Sequence, residues 1–122
     1  MNVFVDTSVW SLALRRTGGA PPPAVGVLQS CLSNRDAVVT TGIVLQELLQ
    51  GFQGPRAREE IIKRFSLLPV ITPVLQDHVD AAALRNLCRK KGIQVGTIDA
   101  LIGQLCIRYQ LQLLPTDRDF AH

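Results

Sequence analysis

Asn2-Val3-Phe4-Val5-Asp6 decides the reading of this chain. A short apolar run, rich in residues that favour strands, stops abruptly on an acid. A strand buried on both faces of a parallel sheet reads this way. Working outward, Thr7 or Ser8 is placed to cap a helix carrying Val9, Trp10, Leu12 and Ala13, which Arg15-Arg16 and Gly18-Gly19 close. Pro21 to Pro23 start a second helix to about Ser33, because proline is tolerated in a first turn, and Asn34-Arg35-Asp36 turn the chain. Ala37 to Thr40 reads as a second strand, followed by a helix from about Gly42 to Gln50 that Gly51 ends. Gly54-Pro55 opens a helix whose apolar positions include Ala57, Ile61, Ile62 and Phe65. Pro69 to Thr72 reads as a third strand. The next helix begins at Pro73 or Val74 and ends on Arg89-Lys90-Lys91-Gly92, cations followed by glycine. Thr97 begins a helix to about Tyr109, and Leu111 to Leu114 forms the last visible strand.

Short apolar strands alternating with helices predict an α/β fold: three layers, α/β/α, around a central, mainly parallel sheet. The 122 residues suit one domain, with no repeat and no interdomain linker. The chain stops soon after Asp119-Phe120 without a clear closing element, so a longer native protein, or one lacking its last strand here, is expected.

Composition narrows the function classes. Hydrophobic residues make up 47% and charged residues 19%, the balance of a globular domain. No apolar run approaches the roughly 20 residues that cross a bilayer, and the N-terminus lacks the pattern of a signal peptide. A cytoplasmic location is expected. The three cysteines, Cys31, Cys88 and Cys106, lie in apolar helical contexts and read as core thiols in a reducing compartment. Neither His78 nor His122 belongs to a zinc-type cluster. With Asp6, Glu47, Asp99, Asp117 and Asp119 set aside from the 10 acids, five remain against 13 basic residues, a difference of +8. A basic body around an acidic pocket suits a phosphate polymer.

Those acids fall where ligands collect. In a parallel sheet, sites form at the carboxyl ends of strands. Asp6 ends the first strand, and Asp117 and Asp119 follow the last. Asp99 shares a helix side with Ile102 and Cys106, so its carboxylate is expected to face inward beside the core. Glu47 lies i+4 from Ile43 and i+3 from Val44, at the margin of the apolar stripe formed with Leu45, Leu48 and Leu49. Each acid alone also reads as a cap, a turn residue or a solvated side chain. Together they form a cluster that needs neutralising, since an unpaired buried charge is costly. Carboxylates without His or Cys suit Mg²⁺ or Mn²⁺, and a cation held this way supports phosphodiester hydrolysis. Thr7, Ser8 and Thr116 are placed to orient water or substrate, or to cap. Arg15, Arg16, Lys90, Lys91 and Arg118 are candidate phosphate contacts.

These segments resemble the PIN-domain nucleases, and within them the VapC-type toxins of toxin–antitoxin pairs. Val3 to Trp10 is similar to the family's first strand and acid, Thr41 to Leu49 to its second motif, Thr97 to Ile102 to its third, and Leu113 to Phe120 to its closing motif. The resemblance implies a PIN-like fold and Mg²⁺- or Mn²⁺-dependent endonucleolytic cleavage of RNA. It implies Asp6, Glu47, Asp99 and Asp117 as metal ligands, with Asp119 an accessory acid. It further implies a homodimer and a VapB-type antitoxin. Pro115 stands where the family usually carries a hydroxyl, which leaves Thr116 to supply one.

Rival classes fit less well. A haloacid-dehalogenase-type phosphatase needs an aspartate two residues after its nucleophile, where Ser8 stands. A receiver domain needs a lysine after its last strand, and Asp117-Arg118-Asp119 offers none. A PIN-like scaffold that only binds RNA or protein has no use for all four acids.

Overall fold

The computed structural model describes residues 2–15, 18–34 and 36–114. The chain divides into two compact units, one of Met1–Ile71 with the segment from Gln112 onward, the other Thr72–Leu111.

The first unit holds the sheet. Its elements are β1 (Asn2–Val5), α1 (Thr7–Arg15), α2 (Pro23–Ser33), β2 (Ala37–Thr41), α3 (Gly42–Gly51), α4 (Pro55–Phe65), β3 (Val70–Ile71) and β4 (Gln112–Leu114). The strand order is β3-β2-β1-β4, and every pairing among the described residues is parallel. The expected α/β class and parallel sheet are therefore observed. Phe4 lies opposite Val39 on one side and Leu113 on the other. Val3, Phe4 and Val5 are 3%, 0% and 0% exposed, although alternate side chains point to opposite faces. Both faces of β1 are thus shut from solvent, which is why its sequence is a continuous apolar run rather than an alternation. Burying each such side chain contributes roughly 1.5–3 kcal/mol.

Prolines set the helix starts: Pro23 and Pro55 occupy first-turn positions, where a missing N–H costs nothing. On α4, Ile61 and Phe65 turn inward while Ile62 is exposed. Phe65 meets Trp10 of α1 with ring centroids 5.0 Å apart and planes tilted by 54°, a favourable aromatic geometry. The third strand is shorter than expected, with only Val70 and Ile71 paired. Pro69 has no N–H to add to a ladder, and Pro73 restricts the residue before it. Pro69 still accepts the Thr40 N–H at 3.0 Å.

The second unit is a helical hairpin, α5 (Leu75–Lys90) and α6 (Thr97–Tyr109). Asp77, 2% exposed in the first turn of α5, accepts from Arg108 Nη1 in the last turn of α6 at 2.9 and 2.7 Å. Its Oδ2 also takes the Val74 N–H at 2.8 Å. The pKa of Asp77 is lowered from its ordinary 3.8, first by that N–H and then by Arg108, with burial pulling the other way. Helix α5 ends in a Schellman turn: Gly92 N–H reaches Arg89 O at 3.0 Å and Ile93 N–H reaches Cys88 O at 2.9 Å. Gly92 there has φ +77°. The left-handed residue closing α6 is Gln110, at φ 54°.

Of the cysteines, Cys31 and Cys106 are buried, as expected of core thiols, and Cys88 is half-buried. Burial pushes the Cys106 thiol up to about 11. No helix among the described residues is long and apolar enough to cross a membrane.

Candidate active site

Strand β1 is the point where the sheet order reverses: β2 and β3 lie to one side and β4 to the other. Ligands of open α/β sheets bind outside the carboxyl ends of strands at such a point. Asp6 is the first residue past that end. Its N–H donates to Leu114 O of β4 at 3.0 Å, which fixes its backbone between the two strands. Its carbonyl accepts from Val9 and Trp10 N–H, at 3.0 and 3.3 Å, and so starts α1. The main chain caps the helix, while the half-buried carboxylate is engaged elsewhere, by the Ser8 hydroxyl through Oδ2.

Thr7 and Ser8 sit inside the first turn of α1 rather than before it. The Thr7 hydroxyl donates to Glu47 Oε1 at 2.8 Å. Glu47 is half-buried on α3, between inward-facing Val44 and Leu48. The margin position expected for it is therefore observed, and the partner that an acid there requires is a hydroxyl. Two neighbouring hydroxyls of α1 thus each hold one acid, Ser8 that of Asp6 and Thr7 that of Glu47. Neither Asp6 nor Glu47 pairs with a cationic side chain among the described residues.

Asp99 corrects one expectation. Helical phase places it on the side of Ile102 and Cys106, both buried, yet Asp99 itself is exposed. The whole first turn of α6 (Thr97, Ile98, Asp99) is exposed, and burial begins at Ala100. Periodicity tells which side of a helix meets the core, not where along its axis the core ends. In the second unit, Asp99 is an acid presented at a helix start, where the dipole favours it. Asp117, Asp119, Thr116 and Arg118 lie outside the described residues, as does Arg16. Among the described residues no three of His, Cys, Asp or Glu gather closely enough to hold a metal ion.

The candidate phosphate contacts divide. The Arg15 guanidinium lies 5.1 Å from the centroid of the Phe52 ring, a cation–π contact. Lys90 and Lys91 are exposed at the end of α5. Sequence reasoning missed the Asp77–Arg108 pair. Its signal was present, an acid in the first turn of one helix and a base in the last turn of the next, which an antiparallel hairpin brings side by side.

An acid at the reversal point of a parallel α/β sheet stands at the edge where folds of this class bind their ligands. The PIN domain family model matches residues 3–122, so the chain belongs to the PIN domain family. No curated protein matches the sequence significantly. Among solved structures, the VapBC2 complex of Rickettsia felis bound to promoter DNA has a chain that aligns with a TM-score of 0.72 at 21% identity, covering 93% of this chain and 85% of that one. VapC20 of Mycobacterium tuberculosis, a sarcin–ricin-loop-cleaving toxin, aligns at 0.67 and 25% identity over 98% and 92%. VapBC-1 of nontypeable Haemophilus influenzae aligns at 0.68 and 22% over 93% and 84%.

Proposed function

We propose that this chain is a Mg²⁺- or Mn²⁺-dependent endoribonuclease and the toxin of a VapBC-type pair, a single PIN-like domain acting in the cytoplasm. The observation that carries the reading is the Asp6–Ser8 and Thr7–Glu47 arrangement at the carboxyl end of β1. It offers oxygen donors only, oriented by neutral hydroxyls, with no described cation bonded to either acid. That donor chemistry fits a hard divalent cation.

Asp6 and Glu47 would hold the ion with Asp99 and Asp117, and Asp119 is an accessory acid. A bound divalent cation supplies charge neutralisation at a phosphoryl oxygen and eases deprotonation of water. The chain's own contribution is orientation. Leu114 O and the start of α1 fix the Asp6 backbone, Ser8 turns its carboxylate, and Thr7 holds Glu47. Arg15, Arg16, Lys90, Lys91 and Arg118 are proposed as contacts for the RNA backbone, and Thr116 as the hydroxyl of the closing motif. A homodimer and a VapB-type antitoxin, which would set a basic side chain against the acids, complete the reading.

The test is cleavage of a panel of structured RNAs by the purified protein, with sarcin–ricin loop RNA among them because VapC20 cleaves it. We expect cleavage with Mg²⁺ or Mn²⁺, loss in chelator, and loss in both Asp6→Asn and Asp99→Asn. Cleavage that survives both substitutions would remove the metal-site reading. Tight RNA binding without cleavage of any RNA would leave a binding scaffold instead.

A further inference from the structure

The α5–α6 connection encloses a cleft of about 670 Å³, lined by Arg85 and Arg89 on α5 and by residues 92–96. The two arginines stand one helical turn apart, so they share a face of α5. Among the described residues, no carboxylate belongs to this lining. The opposite wall is held in shape twice over. The Schellman turn at Gly92 fixes where the loop leaves the helix, and Arg85 Nε donates to Val95 O at 2.8 Å across the cleft. Arg85 is half-buried and committed to that bond, whereas the Arg89 side chain is exposed. Lys90 and Lys91 follow directly, and Gly96 stands three residues before Asp99.

We infer that this cleft is a phosphate-backbone site for the RNA strand, with Arg89 as its principal contact and Arg85 as the residue that keeps its wall in place. The inference rests on the ribonuclease reading for its choice of polyanion. The planar guanidinium of Arg89 matches two phosphate oxygens at once, which the point charge of a lysine does not. A wall fixed before binding spares the ordering cost that a loose loop would add. The contact is to phosphate, so it reads no base and acts alike on every sequence.

The experiment measures affinity of a fluorescein-labelled single-stranded RNA for the full chain by anisotropy, in chelator so that nothing is cleaved, across a salt series. Wild type is compared with Arg89→Gln and with Arg56→Gln, a charge-matched change at an exposed position of α4. The Arg89 group used in the Schellman turn is its carbonyl, so Arg89→Gln leaves that turn intact. One lost phosphate contact lowers the slope of log Kd against log salt by about 0.7 on a single strand. We expect that drop in Arg89→Gln, with weaker binding of every RNA tested, and no comparable drop in Arg56→Gln. An unchanged slope in Arg89→Gln, an equal drop in Arg56→Gln, or no RNA binding by wild type overturns the inference. The two readings fail separately. Slope loss in a protein that cleaves nothing sinks the nuclease, and cleavage with an unchanged Arg89→Gln slope sinks the cleft.

Discussion

Replacing Thr7 by valine removes one hydroxyl and keeps the side-chain shape. In this structure the hydroxyl has one described task, the 2.8 Å bond to Glu47 Oε1. Hydrogen bonds to charged groups contribute roughly 1.5–3 kcal/mol. Both residues are half-buried, so water competes for each partner, and a coupling of about 1 kcal/mol is the appropriate expectation. Threonine and valine have similar helix propensities, so the first turn of α1 is little disturbed otherwise. The measurement is a double-mutant cycle at neutral pH without metal: wild type, Thr7→Val, Glu47→Ala and the double variant, each unfolded in urea and compared at constant slope. The cycle cancels the propensity gain of alanine on α3. Additivity within about 0.3–0.5 kcal/mol would show that the hydroxyl does not hold the acid. The functional counterpart is Mn²⁺ affinity by calorimetry. Groups that orient a metal-binding carboxylate typically change affinity by about 10–100-fold, and Thr7→Val should fall at the lower end because Glu47 itself remains.

Three further expectations concern the hairpin. Asp77 has a lowered pKa in the folded chain, so its stabilisation is complete above the unfolded carboxyl value near 3.8 and is lost as pH falls from there through the folded value. The Tm difference between wild type and Asp77→Asn should therefore shrink as pH drops below about 4. A difference that stays constant over that range would remove Asp77 as its source. Gly92→Ala meets no atom within 4 Å but sits at φ +77°, so it should destabilise by about 1 kcal/mol through the backbone alone. Gln110→Gly, at φ 54°, should stabilise by about 0.5–1 kcal/mol. Equal signs in urea unfolding of the two variants would contradict the left-handed conformations.

Most of the fold is legible in the sequence because its signals are local. The runs 3–5 and 37–39 are apolar since both faces of those strands are covered, and Pro23, Pro55, Gly51 and Gly92 mark helix ends by their own backbone chemistry. Legibility stops where the cause is distant. Val70–Ile71 is a minimal edge strand because prolines flank it, and its pairing partner decides how little of it counts. Asp99 follows helical phase correctly and is still exposed, since phase carries no information about where packing ends. Of the candidate site, the positions of Asp6 and Glu47 follow from strand end and helix margin. That two neighbouring hydroxyls would divide themselves between two acids does not. The spacing of Arg85 and Val95 offers no sequence pattern at all; only the turn at Gly92 brings them together.

The Asp6 N–H bond to Leu114 O has a consequence for the order of events during synthesis. Asp6 precedes nearly all of the described chain, and the strand that pins it, ending at Leu114, is made after the rest of it. Until then one edge of β1, carrying Val3, Phe4 and Val5, has no neighbour, and such an edge invites pairing with other chains. The bond also closes the longest loop in the sheet, a contact that carries a high entropic cost and therefore forms late. A nascent chain thus gathers Thr7 and Glu47 well before Asp6 is fixed in place. Any site that needs the Asp6 carboxylate in a fixed position therefore waits on β4.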